Sequence, residues 1–265
     1  MKKLVALMVA LTMVLGLASV ASAAEYPSKG ISVICPWGAG GGTDAVLRAF
    51  CEAMGKDLGV TLTVDNRTGG GGIIGHQAIA DAEPDGYTIG GVDLPHIVLQ
   101  PMLRPEGQPG YKTEQLSPLC GLVYDADVVM VPEDGPYKTF KDLIGYAKAN
   151  PGKVKVATVG KLTGDHLFLM QIEKLTGAKF TQVPYSGSGK AIPALLSGEV
   201  DAYFGSGSSF LRMEKTRGLA IGSKERYELC PDVPTFIEQG YAIESGKYRG
   251  LATPQNIPAE ARQYL

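Results

Sequence analysis

Ile31–Cys35 is a short, almost unbroken apolar run, the pattern of a strand covered on both faces. Directly after it, Val46, Leu47, Phe50, Met54 and Leu58 recur at helical spacing, which predicts a helix over Thr43–Leu58. The two patterns then alternate: strand Thr61–Val64, helix Ile73–Ala80, strand Tyr87–Val92. A Pro- and Gly-rich stretch from Pro101 to Pro118 reads as surface, and apolar segments follow at Leu119–Val123 and Val128–Val131. A second series begins with helix Phe140–Ala149, strand Val154–Val159 and helix Thr163–Leu175. It continues through strand Phe180–Val183, helix Ala191–Leu196, and strands Asp201–Phe204 and Leu219–Ile221. Strands joined through helices pair in parallel and carry helices on the sheet faces. The fold class is therefore α/β, and two such series predict two α/β lobes.

One apolar run falls outside this alternation. Lys2 and Lys3 precede an uninterrupted apolar stretch, Leu4–Val20, and Ala21-Ser22-Ala23 supplies small residues where a signal peptidase cuts. Residues 1–23 are expected to be a cleaved leader, which makes the mature chain extracytoplasmic (periplasmic). No Cys follows the cleavage site, so a free protein is expected rather than a lipoprotein.

Without Lys2 and Lys3 the chain carries 23 basic against 27 acidic residues. Nucleic acid and anionic lipid both require clustered positive charge, and neither is favoured as a partner here. Cys35, Cys51, Cys120 and Cys230 fit no zinc or redox spacing. An oxidising compartment permits a disulfide among them, but a core of this size does not need one.

The chemistry-bearing signals are glycine-rich turns at the ends of strands, the edge where open α/β sheets bind ligands. Pro36-Trp37-Gly38-Ala39-Gly40-Gly41-Gly42-Thr43-Asp44 joins the first strand to the first long helix. Its glycines let a ligand approach the main chain. The helix that follows offers unpaired N–H groups to a carboxylate or phosphate, with Thr43 or Asp44 as cap. A tight turn with a capped helix and no ligand is the plainer reading. The same turn, as Gly40-x-Gly42-x-x-Ala45 with Asp65 about 20 residues on, also fits a dinucleotide fingerprint. That would make the chain an NAD- or FAD-dependent oxidoreductase, a cofactor chemistry that export disfavours. Asn66-Arg67-Thr68 and the four glycines Gly69–Gly72 lead into the next helix. In the second series Thr158–His166, Pro184–Lys190 and Gly205–Ser209 repeat the arrangement, so polar backbone from both halves can face one cleft.

Catalytic constellations are missing. No Gly-x-Ser-x-Gly elbow and no His-Glu-x-x-His occurs. His76, His96 and His166 are scattered and read as helix-end or surface residues. Asp93, Asp125 and Asp127 read as solvated turn residues rather than paired catalytic carboxylates. An exported hydrolase would need a nucleophile beside a base, and none is visible. The expectation is a binding protein, not an enzyme, with no cofactor and no metal.

Gly40-Gly41-Gly42-Thr43-Asp44, Asn66-Arg67 before the glycine cluster, and Pro84-Asp85-Gly86-Tyr87-Thr88 occur in that order. Val183-Pro184-Tyr185 with Gly187, Gly198-x-Val200-Asp201 and Pro231-Asp232-Val233-Pro234-Thr235 follow. On these motifs, from Tyr26-Pro27 to the end, the chain resembles the substrate-binding receptors of tripartite tricarboxylate transporters, the TctC or Bug family. The resemblance implies a two-lobe periplasmic-binding-protein-like fold that closes on a small ligand. The ligand would be a di- or tricarboxylate, an acidic amino acid or an aromatic acid, and the receptor, a monomer, would deliver it to membrane permease subunits. It implies a carboxylate held largely by backbone N–H groups and water. The residues it assigns are Ala39, Gly40, Gly41, Thr43 and Asp44 from the first lobe, and Thr158, Gly160, Thr163, Gly164, Tyr185 and Ser206 from the second. No conspicuous Arg clamp is expected. The first lobe is expected to comprise residues 24–119 plus 229–265 and the second 120–228. The chain departs from the family pattern at Leu162, where Gly is usual, and at Gly205, where Asp is common. Family members usually continue for some forty residues past the position of Leu265.

Overall fold

A computed structural model describes residues 26–265, so the expected leader at 1–23 lies outside the described residues. The first series forms β1 (Ile31–Cys35), α1 (Gly42–Leu58), β2 (Leu62–Asn66), α2 (Ile73–Ala80), β3 (Thr88–Leu94) and α3 (His96–Leu103). Strand β4 (Leu116–Pro132) leads to α4 (Phe140–Ala149), β5 (Lys155–Thr158), α5 (Gly164–Thr176), β6 (Thr181–Pro184), α6 (Ser188–Leu196) and β7 (Ala202–Ser206). The chain ends through α7 (Gly207–Phe210), β8 (Thr216–Ile221), β9 (Gly246–Pro254) and α8 (Ala259–Tyr264).

The sheet order is β2-β1-β3-β9-β4-β7-β5-β6, with β8 also on β4. Strand β1 is parallel to β2 and β3, and β5 is parallel to β6 and β7, as strand–helix–strand connections require. In β1 the side chains of Ile31, Val33 and Cys35 pack with Leu47 and Ile89, while Ile34 faces Ile79 and Tyr111 on the opposite side. In β4 Val129 and Val131 join Phe140 and Phe168, while Val128 and Met130 join Leu195 and Tyr203. Each lobe therefore has a core on both faces of its sheet.

Two antiparallel strands tie the lobes together, and the apolar pattern did not anticipate either as it stands. Strand β4 is one 17-residue strand, not two segments. At about 3.3 Å per residue it spans roughly 55 Å, enough to run through both lobes. Its first part pairs with β9, from Leu116↔Pro254 to Ala126↔Gly246. From Asp127 onward it pairs with β7, and from Val128 with β8. The ladder holds Cys120–Ala126 with the first lobe. By contrast Cys230, Val233, Phe236 and Ile243 are buried in the second, where the Phe236 ring meets Phe140 at 5.0 Å. The packing moves the two crossings from the expected 119/120 and 228/229 to near 126/127 and 245/246. The Pro101–Pro118 stretch is not all surface either: Pro101 sits within α3, and Tyr111 is fully buried.

All four cysteines are unpaired thiols. No helix among the described residues is long and apolar enough to cross a membrane.

Candidate functional site

The glycine-rich turns of the two lobes meet. Helix α1 starts after Gly41 and α6 after Gly187, and neither N-cap supplies a side-chain hydrogen bond. The first-turn N–H groups of both helices are thus left without side-chain partners at one end of the cleft. A Cβ on Gly187 would lie 3.2 Å from the Gly38 nitrogen, and one on Gly189 would lie 2.8 Å from the Ala39 oxygen. Likewise a Cβ on Gly160 would come within 3.0 Å of the Gly71 Cα. Only backbone without side chains lets the lobes approach this closely. Arg212 adds a hydrogen bond from its guanidinium to the Gly41 oxygen at 3.4 Å.

Between the lobes lies a cavity of about 40 Å³, with Trp37, Gly41, Thr43, Asp93 and His96 on one side and Asp165, Ser188, Tyr203 and Ser206 on the other. Lys247 and Arg249 reach into it from β9. One water needs roughly 10–15 Å³ by this measure, so the space holds about three waters and no organic acid. The lobes are close together, and the space between them is narrow.

The cavity wall is a buried ionic network. Arg249 pairs with Asp125 and, at 3.3 Å, with Asp93. Lys247 pairs with Asp127 and, at 2.8 Å, with Asp165. Trp37 Nε1 donates to Asp93 at 2.6 Å and Thr43 Oγ1 to the same carboxylate at 3.0 Å. The Ser208 N–H reaches Asp125 at 2.9 Å, and Ser245 Oγ reaches Asp127 at 2.6 Å. Asp93, Asp165, Lys247 and Arg249 line the cavity, with Asp125 and Asp127 behind them, so four buried carboxylates share two buried cations. Burial lifts Asp127 to about 6 despite the attraction of Lys247, and the like charge on Asp165 adds to the rise. For Lys247 burial pulls downward, but Asp127 and Asp165 outweigh it and hold the ammonium charged.

His96, from the start of α3, is fully buried, and burial lowers its pKa to about 4, so it is neutral. Its Nε2 accepts a hydrogen bond from the Gly164 N–H at 3.0 Å, across the lobes. A neutral ring accepting at Nε2 carries its proton on Nδ1. That Nδ1 has no partner.

Residues 46–265 match the model of the tripartite tricarboxylate transporter family receptor, TctC. The chain belongs to this family. It is 31% identical over 261 residues to a UPF0065 protein of Cupriavidus necator, covering 97% of this chain and 79% of that one. It is 35% identical over 236 residues to the protein BugT of Bordetella pertussis, covering 85% and 70%. Among solved structures it is similar to the periplasmic binding protein BugD, with TM-score 0.82, 30% identity, and 90% and 80% coverage. It is also similar to MatC of Rhodopseudomonas palustris with bound malate, with TM-score 0.83, 27% identity, and 89% and 82% coverage. A TctC chain is a periplasmic solute-binding receptor with a two-lobe α/β fold.

Of the residues assigned by resemblance to this TctC fold, Gly41, Thr43 and Ser206 line the cavity. Ala39 and Gly40 sit on the same turn, where Gly40 takes a left-handed φ of 74°. Asp44 is turned away from the cavity: it accepts from the Gly40 N–H at 2.9 Å, from Asn66 at 2.8 Å, and from Arg48. It fastens the turn to the end of β2 rather than capping α1. Thr163 caps α5, accepting from the His166 N–H, and Gly164 meets His96. Thr158 contacts Gln182 and the Gly160 oxygen. Tyr185 lies off the cavity, with its hydroxyl on Glu199 at 2.7 Å. Leu162, where the family has Gly, holds a φ of 55°, a conformation costing a non-glycine residue about 1–2 kcal/mol.

Two sequence expectations are corrected. Asp93, Asp125 and Asp127 are not solvated turn residues but buried ion-pair partners on β3 and β4. His76 and His96 are buried rather than at the surface, although His96 does stand at a helix end, as the first residue of α3. Arg249 lines the cavity, but Asp93 and Asp125 hold it, so it is not a free clamp. Asp65, the acid that the disfavoured dinucleotide reading would need, pairs with Arg67 at the surface, at 2.7 Å.

Proposed function

We propose that this TctC-family chain captures a small carboxylate-bearing solute between its lobes and delivers it to the permease of a tripartite tricarboxylate transporter. The observation that carries the reading is the meeting of two helix starts, α1 and α6, from opposite lobes, neither capped by a side chain. Each presents backbone N–H groups and the positive end of a helix dipole to the same space. A carboxylate bridging them would hold the lobes shut, and its binding would be read out as closure. Support also comes from MatC, solved with malate and built on the same fold. Of the assigned residues, Gly41, Thr43 and Ser206 would touch the ligand directly; Ala39, Gly40, Thr158, Gly160, Thr163 and Gly164 would shape the turns around it.

Ligand titration tests this by thermal shift and calorimetry. A ligand that binds only the native state at a hundredfold excess over Kd adds about 2.7 kcal/mol. At least one small organic acid should bind one to one, while NAD and FAD should not. A shift with a dinucleotide and none with any carboxylate would overturn the reading in favour of a redox enzyme.

A further inference from the structure

The backbone of the cleft and its side chains ask for opposite charges. The helix starts favour an anion, yet the buried network counts two carboxylates more than cations once Asp125 and Asp127, behind the cavity wall, are included with Asp93 and Asp165 on it. Arg249 and Lys247 are each shared between two acids, so neither is free to neutralise an incoming dianion. Arg212, the further cation near the Gly41 turn, is exposed and screened by solvent. A dicarboxylate closing into this space would raise the excess from two negative charges to four, away from bulk water. A ligand with one carboxylate and one ammonium leaves it unchanged and places a cation among the unbalanced acids.

The wall has the fittings for both ends. For the carboxylate it offers the uncapped N–H groups at the starts of α1 and α6. Asp93 and Asp165 stand on either side of the cavity, one from each lobe, as partners for an ammonium. We propose that the solute is a small zwitterion of zero net charge, an amino acid with one carboxylate and one ammonium, rather than a dicarboxylate. This rests on the carboxylate-receptor reading and narrows it.

The test is a calorimetric titration of the protein at pH 7.5 with length-matched sets. One set is γ-aminobutyrate, succinate and butyrate, another β-alanine, malonate and propionate, and a third L-alanine and L-leucine beside propionate and 4-methylpentanoate. The tightest aminocarboxylate should bind at least tenfold more tightly than every dicarboxylate and every simple acid of its length. Dicarboxylates binding as tightly or more tightly would overturn the zwitterion assignment and leave the carboxylate receptor standing. Simple monocarboxylates matching the amino acids would do the same, since the ammonium would then contribute nothing. Failure of every acid in all three sets would overturn the zwitterion assignment, and the receptor reading would fall only if the wider acid screen above failed as well.

Discussion

Closure over the ligand depends on backbone meeting backbone, and Gly189 tests this without touching the charged network. It is the second residue of α6, and its φ is not in the left-handed region, so alanine is conformationally acceptable there. Alanine is the better helix former by up to about 1 kcal/mol. In the closed arrangement, however, its Cβ would lie 2.8 Å from the Ala39 oxygen, against an ordinary contact distance of 3.4–4 Å. The atom opposite is main chain and cannot swing aside, so the lobes must stay apart by several tenths of an ångström. Overfilling a packed interface by a methyl costs about 1–3 kcal/mol. That penalty falls only on the closed state, so Kd should rise by roughly 5- to 150-fold in Gly189→Ala. The unfolding midpoint of the ligand-free protein should be unchanged or slightly higher. Titration calorimetry with the tightest acid, and urea unfolding of the same preparation, give the two numbers. Unchanged affinity would refute the argument that closure onto this seam is part of binding. A lowered midpoint at unchanged affinity would assign Gly189 to the packing of the second lobe alone.

Three further outcomes follow from the buried groups. Arg249→Met leaves Asp93 and Asp125 unpaired in the interior and should destabilise by about 3–5 kcal/mol in urea unfolding; a loss below 1 kcal/mol would mean that the cleft is wet and open. Phe236→Ala should cost about 3–5 kcal/mol, because the ring is fully buried against Phe140 and Phe168, whereas a peripheral tether would lose far less. Acid should weaken the fold. His76 and His96 fall to about 4 in the folded state through burial, below the ordinary 6.5. Their contribution is complete above pH 6.5 and is lost as pH falls toward 4, while Asp127, raised to about 6, offsets part of the loss. The net is roughly 2 kcal/mol less stability at pH 5 than at pH 7, and equal urea midpoints at the two values would contradict it.

The parallel parts of the fold were legible because their strands are covered on both faces and their helices keep an apolar stripe. Strands β1 and β5 and helices α1, α2, α4 and α5 lie within a residue or so of their expected places. The two antiparallel strands were obscured by the very residues that make the site. In β4 the run Tyr124-Asp125-Ala126-Asp127 breaks the apolar pattern, and in β9 Lys247-Tyr248-Arg249 does the same. Both are strand alternation with charges on the inward side. Asp125 stands opposite Lys247 in the ladder, and the ion pairs run along its diagonals, Arg249 to Asp125 and Lys247 to Asp127. The signal available was the match of Asp-x-Asp with Lys-x-Arg at a spacing of two. It became readable only once the two segments were known to be neighbours. The glycine turns of the site, by contrast, announced themselves, because close backbone approach leaves no other residue at those positions.

The most direct test of the receptor assignment is a crystal structure of the protein with its tightest-binding acid. The account predicts the ligand between the lobes, with carboxylate oxygens about 3 Å from backbone N–H groups at the start of α1 or α6, and with Gly38 still closed against Gly187. A carboxylate bound on an outer face, with the cleft between Gly41 and Ser188 empty, would contradict it.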